Sequence, residues 1–172
     1  VETADCCGGG AAGDSVHVLR ELLMSKNAGP SIVPVVDPEA ARLYHAHGQG
    51  AELNLNLGHH VDPQWGNPIE VRGCVERLVQ GGFIYSGGIW DGIRGDIGAT
   101  AVLEASQTRS QLTLMEVMNR GMNSLVEIEA ARSKFIVVTS PMNYQLTYHP
   151  QEVASFIHDT PGPTPAICYT KD

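Results

Sequence analysis

Clusters of basic residues are missing from this chain. Its 11 Lys and Arg residues are scattered among 19 Asp and Glu, for a formal net charge of −8. No positive run or stripe could neutralise a row of phosphates, which argues against nucleic acid and anionic membrane surfaces as partners. No apolar stretch approaches the roughly 20 residues of a membrane helix, and the opening VETADCC has neither the basic region nor the apolar core of a signal peptide. Cysteine is sparse too: Cys6, Cys7, Cys74 and Cys168, with no CxxC pair. Neighbouring cysteines seldom bridge each other, so neither a disulfide frame nor a zinc knuckle is expected, and a reducing, cytoplasmic compartment fits. An initiator Met is also missing and a glycine run follows almost at once, which reads as a segment of a longer chain.

What remains suits one globular domain. A 172-residue chain with 42% hydrophobic residues buries about two-thirds of its unfolded surface. Val16, Leu19, Leu22 and Leu23 recur at helical spacing, with Asp14 or Ser15 as the expected cap. SIVPVVD reads as a buried strand whose proline suggests an irregular or edge position. Asp37 and Pro38 open a second helix that ends at Gly48. AELNLNLG alternates as a half-buried strand. IEVRGCVERLVQ and FIYSG predict a hairpin turning near Gln80-Gly81-Gly82, and the glycine-rich SGGIWDGIRGDIG predicts a loop before the strand ATAVLEAS. TRSQLTLMEV predicts another strand, 124–132 a short helix, KFIVVTS a strand inside the sheet and 151–156 a last helix. The Pro-rich DTPGPTP cannot continue regular structure. Together these give a mixed α/β (α+β) single domain with a mixed sheet, hairpins and flanking helices.

The stretch CCGGGAAGDS at 6–15 invites three chemical readings. Gly8, Gly10 and Gly13 have the dinucleotide-fingerprint spacing, but VETAD is a poor preceding strand and Asp37 already has a capping role. P-loop spacing is also met, yet Asp14 stands where the lysine belongs and would repel phosphate. What survives is a helix start approached by flexible backbone, suited to an anion or polar group, beside the simpler alternative of a tight turn against a neighbouring domain. For metal, His45 and His47 lie about 200° apart on a helix and cannot share an ion. His59, His60 and Asp62 form the best local cluster, a weak one on what reads as a surface loop. Cys6 and Cys7 have no basic neighbour in sequence to lower a thiol pKa and read as small buried residues.

Six blocks in order resemble the C-terminal domain of the microcystinase C (MlrC) family of metallopeptidase-like hydrolases. They are ADCCGGGAAGDS, VVDPEAARLYHAHGQGAELNLNLG, EVRGCVERLVQGGFIYSGG, GIRGDIGATAVLE, KFIVVTSPMNYQLTYHP and HDTPGPTP. The resemblance implies a larger N-terminal domain, absent from this sequence, that holds the catalytic metal (zinc) through Asp and His ligands. It implies no cofactor on this part, which would be an accessory, substrate-cleft domain and not catalytic alone. Its partners would be that N-terminal metal-binding domain, a peptide-like or small carboxylate substrate and, as a further candidate, a second copy in a homodimer. The matching Asp5, Gly8, Gly9, Gly10, Gly13, Asp14 and Asp96 are the candidate cleft residues. Cys6-Cys7 replaces the family's frequent Asn-Pro, and Thr139 a frequent lysine. A free-standing anion-binding module and a purely structural or dimerisation domain are the alternatives.

Overall fold

The computed structural model describes residues 1–84, 91–105, 110–115, 133–139 and 153–165, the 110–115 segment by its backbone. Its frame is a six-stranded mixed sheet in the order β2-β3-β4-β5-β1-β6. The strands are β1 (Ser31–Val36), β2 (Glu52–Leu57), β3 (Ile69–Ile84), β4 (Arg94–Ala105), β5 (Ser110–Met115) and β6 (Phe135–Ile136), with helices α1 (His17–Met24) and α2 (Pro38–His47). β1 pairs parallel with β5 and β6, and every other pairing is antiparallel. The mixed α/β class expected from the sequence is the class found.

α2 begins as its sequence dictates. The Asp37 side chain accepts from Ala40 N at 3.0 Å, Pro38 takes the first helical position, and Gly48 closes the helix at φ 87°. Its inner face packs Ala40, Ala41 and Tyr44 on Val33 and Val35 of β1, Val71 and Val75 of β3, and Leu103 of β4. Tyr44 is fully buried, and it lies over Gly73, where an added Cβ would meet the phenol oxygen at 3.2 Å. Burial pushes that phenol up to about 12.

Several expectations are corrected. β3 does not turn at Gln80-Gly81-Gly82; it runs through to Ile84, with register shifts after Val75 and Gln80. Gly81, at φ 109°, sits in the second irregularity: glycines that suggest a turn here supply a bulge. The partner strand is β4, so Arg94–Gly98 belongs to a strand and not to the loop. Beyond the reach of β2 and β5, the ends of β3 and β4 continue as a two-stranded ribbon.

β1 is not an edge strand. The Ile32 carbonyl accepts from Val137 N at 2.9 Å, so Ile32, Pro34 and Val36 all face the β6 side. β6 pairs only with Ser31 and Ile32, and Pro34, which has no proton to give, falls where that neighbour has ended. Val36 N then donates to Gly13 O at 2.9 Å. KFIVVTS in turn contributes only β6, at the end of the strand order, with Glu2 N donating to Val138 O alongside it. Residues 153–156 are non-helical; the helix expected at 124–132 lies outside the described residues.

The sheet is strongly coiled. Four inter-strand steps separate β1 from β2, roughly 19 Å in a flat sheet. Yet Gly58 N, just past β2, donates to Asp37 Oδ2, just past β1, at 3.1 Å. The right-handed twist of the strands brings the two ends together, and the loops at this closure form the candidate site.

Candidate functional site

Three buried aspartates build the junction. Asp5 accepts from Gly13 N at 2.9 Å and Ser15 N at 2.7 Å, so one carboxylate cinches the loop of residues 6–12. Inside it Cys7–Gly9 makes a single 3₁₀ turn that Gly10 closes at φ 93°, a conformation that favours glycine. Asp14 Oδ2 accepts from Val61 N at 2.8 Å and Asp62 N at 2.9 Å. Asp37 Oδ2 accepts from Gly58 N and from His60 Nδ1, the latter at 3.1 Å. The residue after β2 has no room for a side chain: a Cβ on Gly58, at φ 80°, would come within 2.2 Å of Val16 Cγ1.

A strap from the far end of the described chain locks this loop from outside. Thr164 N donates to Ala4 O, its hydroxyl donates to Thr3 O, and Cys6 N donates to that hydroxyl, each at 2.9 Å. Thr160 Oγ1 donates to Glu2 Oε1. Gly162 approaches so closely that a Cβ would lie 2.2 Å from Ala4 O, and one on Gly9 would lie 2.9 Å from Thr164 Cγ2. Two of the blocks that carry the family resemblance, ADCCGGG and HDTPGPTP, therefore meet in space.

The other wall comes from the β2–β3 connection. His59 is 2% exposed, correcting the surface-loop expectation at that position. It holds φ 52°, its Nε2 accepts a long 3.5 Å bond from Val16 N, and its ring meets His17 edge-on at 5.0 Å. Burial, then His17, push its pKa below the ordinary histidine value. His17 Nε2 pairs with Trp65 O at 3.0 Å. Trp65 and residues 159–163 with Pro165 line an open cleft of about 560 Å³. Among the described residues, Thr3 Oγ1, Ser15 Oγ, His59 Nδ1 and Trp65 Nε1 are buried without a hydrogen-bond partner, and all four belong to this junction.

The candidate residues divide accordingly. Gly8, Gly9 and Gly10 are exposed at the turn, whereas Asp5, Gly13 and Asp14 are buried beneath it as supports. Asp14 and Ser15 do not cap α1: its N-cap is Val16, with no side-chain bond. Asp96 stands on the β3–β4 ribbon opposite Gly82, accepting from Gly98 N at 2.8 Å. The register Val36–Met115–Thr100 puts that ribbon past the same end of the sheet at which Val36 meets Gly13.

His59, His60 and Asp62 do not fit a metal ion. His59 packs on His17, His60 pairs with Asp37, and Asp62 Oδ1 accepts from Gln64 Nε2. Among the described residues no three His, Cys, Asp or Glu side chains converge to hold one. His45 and His47 serve the Thr100 and Leu43 carbonyls separately. The Cys7 thiol is pushed up to about 12 by burial, then by Asp5 and Cys6, so it is no thiolate at neutral pH. Sequence reasoning missed Thr164, Gly162 and Trp65; for the strap glycine and threonine, only membership of the HDTPGPTP block signalled importance.

Fold and junction define a coiled mixed-sheet domain with a clamped glycine turn at its closure. The chain belongs to the MlrC C-terminus family, whose profile matches residues 1–170. Microcystinase C of Sphingomonas sp. is 35% identical over 80 residues, 46% of this chain and 16% of that protein. The crystal structure of a "putative metallopeptidase" from Mesorhizobium sp. BNC1 matches with a TM-score of 0.82 at 23% identity, over 95% of this chain and 33% of that one. At that identity the likeness establishes the fold. The chain thus spans about a third of the solved relative's length. No helix among the described residues is long and apolar enough to cross a membrane.

Proposed function

We propose that this chain is the accessory, substrate-cleft part of a metal-dependent amide or peptide hydrolase resembling microcystinase C. Its glycine turn faces an N-terminal domain that holds the metal, and the substrate lies between the two. The observation that carries this reading is the anchoring of an exposed turn. Gly8, Gly9 and Gly10 are open to solvent, yet Asp5 and Thr164 fix them from below and from outside. A turn with no partner needs no such anchoring, whereas one that orients a substrate does. Asp5, Gly13 and Asp14 act as its supports, and Asp96 lines the cleft from the ribbon. The chain's own residues supply shape, orientation and exclusion of water, with no nucleophile among them.

Gly10→Ala in the full-length protein tests this. Around Gly10 an added Cβ meets nothing within 4 Å, so the fold bears only the strain of a positive φ, about 1 kcal/mol. Expected is a loss of about tenfold or more in kcat/KM for amide hydrolysis, with the melting temperature lowered by only a few degrees. Unchanged kcat/KM would remove the turn from the cleft, and a wild-type protein that hydrolyses no amide would remove the hydrolase reading altogether.

A further inference from the structure

We propose that the strip 153–157, at the head of the strap, is where the domain preceding Val1 docks, covering Phe156 and Ile157 and pairing with the open backbone edge between them. This rests on the reading above that such a domain exists, and adds where the two meet. Extended pairing does not stop at β6. Glu2 N donates to Val138 O on one side. On the other side the Val1 nitrogen donates to Phe156 O, His158 N donates to Val1 O at 2.9 Å, and Glu2 pairs in parallel with His158. Successive residues of an extended chain turn opposite ways. Phe156 O and His158 N both face Val1, so the Ile157 N–H and carbonyl face away from it. Neither has a partner among the described residues. An open edge of this kind is a template for another strand.

The side chains agree with the backbone. Val153, Phe156 and Ile157 are 102%, 63% and 69% exposed, and Ala154 and Ser155 are exposed between them. Edges meant for water are blunted by charge or proline, and VASFI carries neither. A contiguous apolar strip without charge marks a surface that another body covers. Chain direction selects that body. Because the pairing is parallel, the chain leading into Val1 runs beside residues 153–155 and delivers its domain to this strip. The matching family is that of a C-terminus, over residues 1–170, and the chain covers 33% of the solved relative, which puts the rest of a protein of that length ahead of Val1. Tethering at Val1 gives that domain a high effective concentration at the strip, an advantage a second copy lacks. Docking here also places the cleft. Cys6, where the glycine turn begins, is five residues past Val1, at most about 18 Å along extended chain.

The experiment puts the photo-crosslinker p-benzoylphenylalanine in place of Phe156 in the full-length protein and maps the products by mass spectrometry. The expected product is an intramolecular crosslink to a peptide from ahead of Val1. A product of twice the mass, which means a second copy on the strip, overturns the proposal. So does crosslinking confined to residues 1–172, or none at all. The same label in place of Met24, 74% exposed at the end of α1, should give far less of that crosslink, and an equal yield also overturns the proposal. Phe156→Ser combined with Ile157→Ser costs this domain little, since both side chains are exposed. In the full-length protein the pair should raise the rate of protease cleavage around Val1 about tenfold, and an unchanged rate counts against docking. Amide turnover is assayed on the unlabelled protein. The crosslink in a protein that hydrolyses no amide overturns the hydrolase reading alone, and its absence from an active hydrolase overturns the docking alone.

Discussion

The α2–sheet core and the loop junction are held together by different physics. In the core, alternating apolar side chains from β1, β3 and β4 meet one helix face, and many small contacts share the load. In the junction, three carboxylates between them accept from Gly13, Ser15, Val61, Asp62, Ala40, Gly58 and His60. A core of the first kind loses stability in proportion to what is removed. A junction of the second kind fails in steps, because each aspartate accepts at once from several polar donors and its loss strands all of them together.

The contrast is broken most severely at Asp37. Asp37→Ala leaves two backbone amides and His60 without their acceptor, and a loss of about 4 kcal/mol in urea unfolding is expected. Gly58→Ala comes next: overpacking on Val16 and the Asp14 carbonyl, plus strain at φ 80°, together cost about 3 kcal/mol. A pH titration gives a smaller effect. His59 has a lowered pKa in the fold, so the unfolded chain binds its proton more readily. Stability is therefore complete above the ordinary histidine value of about 6.5 and falls as pH drops from there toward the lowered pKa. His59→Asn should flatten part of that slope in urea midpoints measured between about pH 7 and 5. Smallest is Tyr44→Phe. The phenol oxygen lies a long 3.5 Å from Leu53 O, so less than about 1 kcal/mol is expected, while the ring that fills the core stays. A large effect there would mean that the core, too, depends on single polar ties.

The same contrast governs what the sequence reveals. Asp37-Pro38, the ELNLNL alternation and the buried VPVV are local signals, and each produces its element where expected. Gly81 misleads because a glycine permits a bulge as readily as a turn, and only the partner strand chooses. Pro34 is read correctly only in part: β1 is an inner strand, but the missing amide falls on the side where β6 has already ended, so that stretch is locally an edge. At the site, the glycine turn is conspicuous, but the burial of Asp5 and Asp14 is not. The amides that Asp14 accepts from, Val61 and Asp62, lie about four dozen positions away, and no local pattern encodes that. His59 is buried because Gly66 leaves room for its ring, a Cβ there falling 2.4 Å from Nε2.

The strap has a consequence for the order in which the protein assembles. Thr164 holds Cys6 and Thr3 across separations of 158 and 161 residues, among the longest loops a chain of this size can close. Closing a long loop forgoes entropy before any contact returns it. The hairpin and the helix-covered sheet can therefore form first, and the glycine turn sets last. During synthesis, residues 3–6 must wait for residues 160–164, so the turn stays unlocked while the segment between them is made.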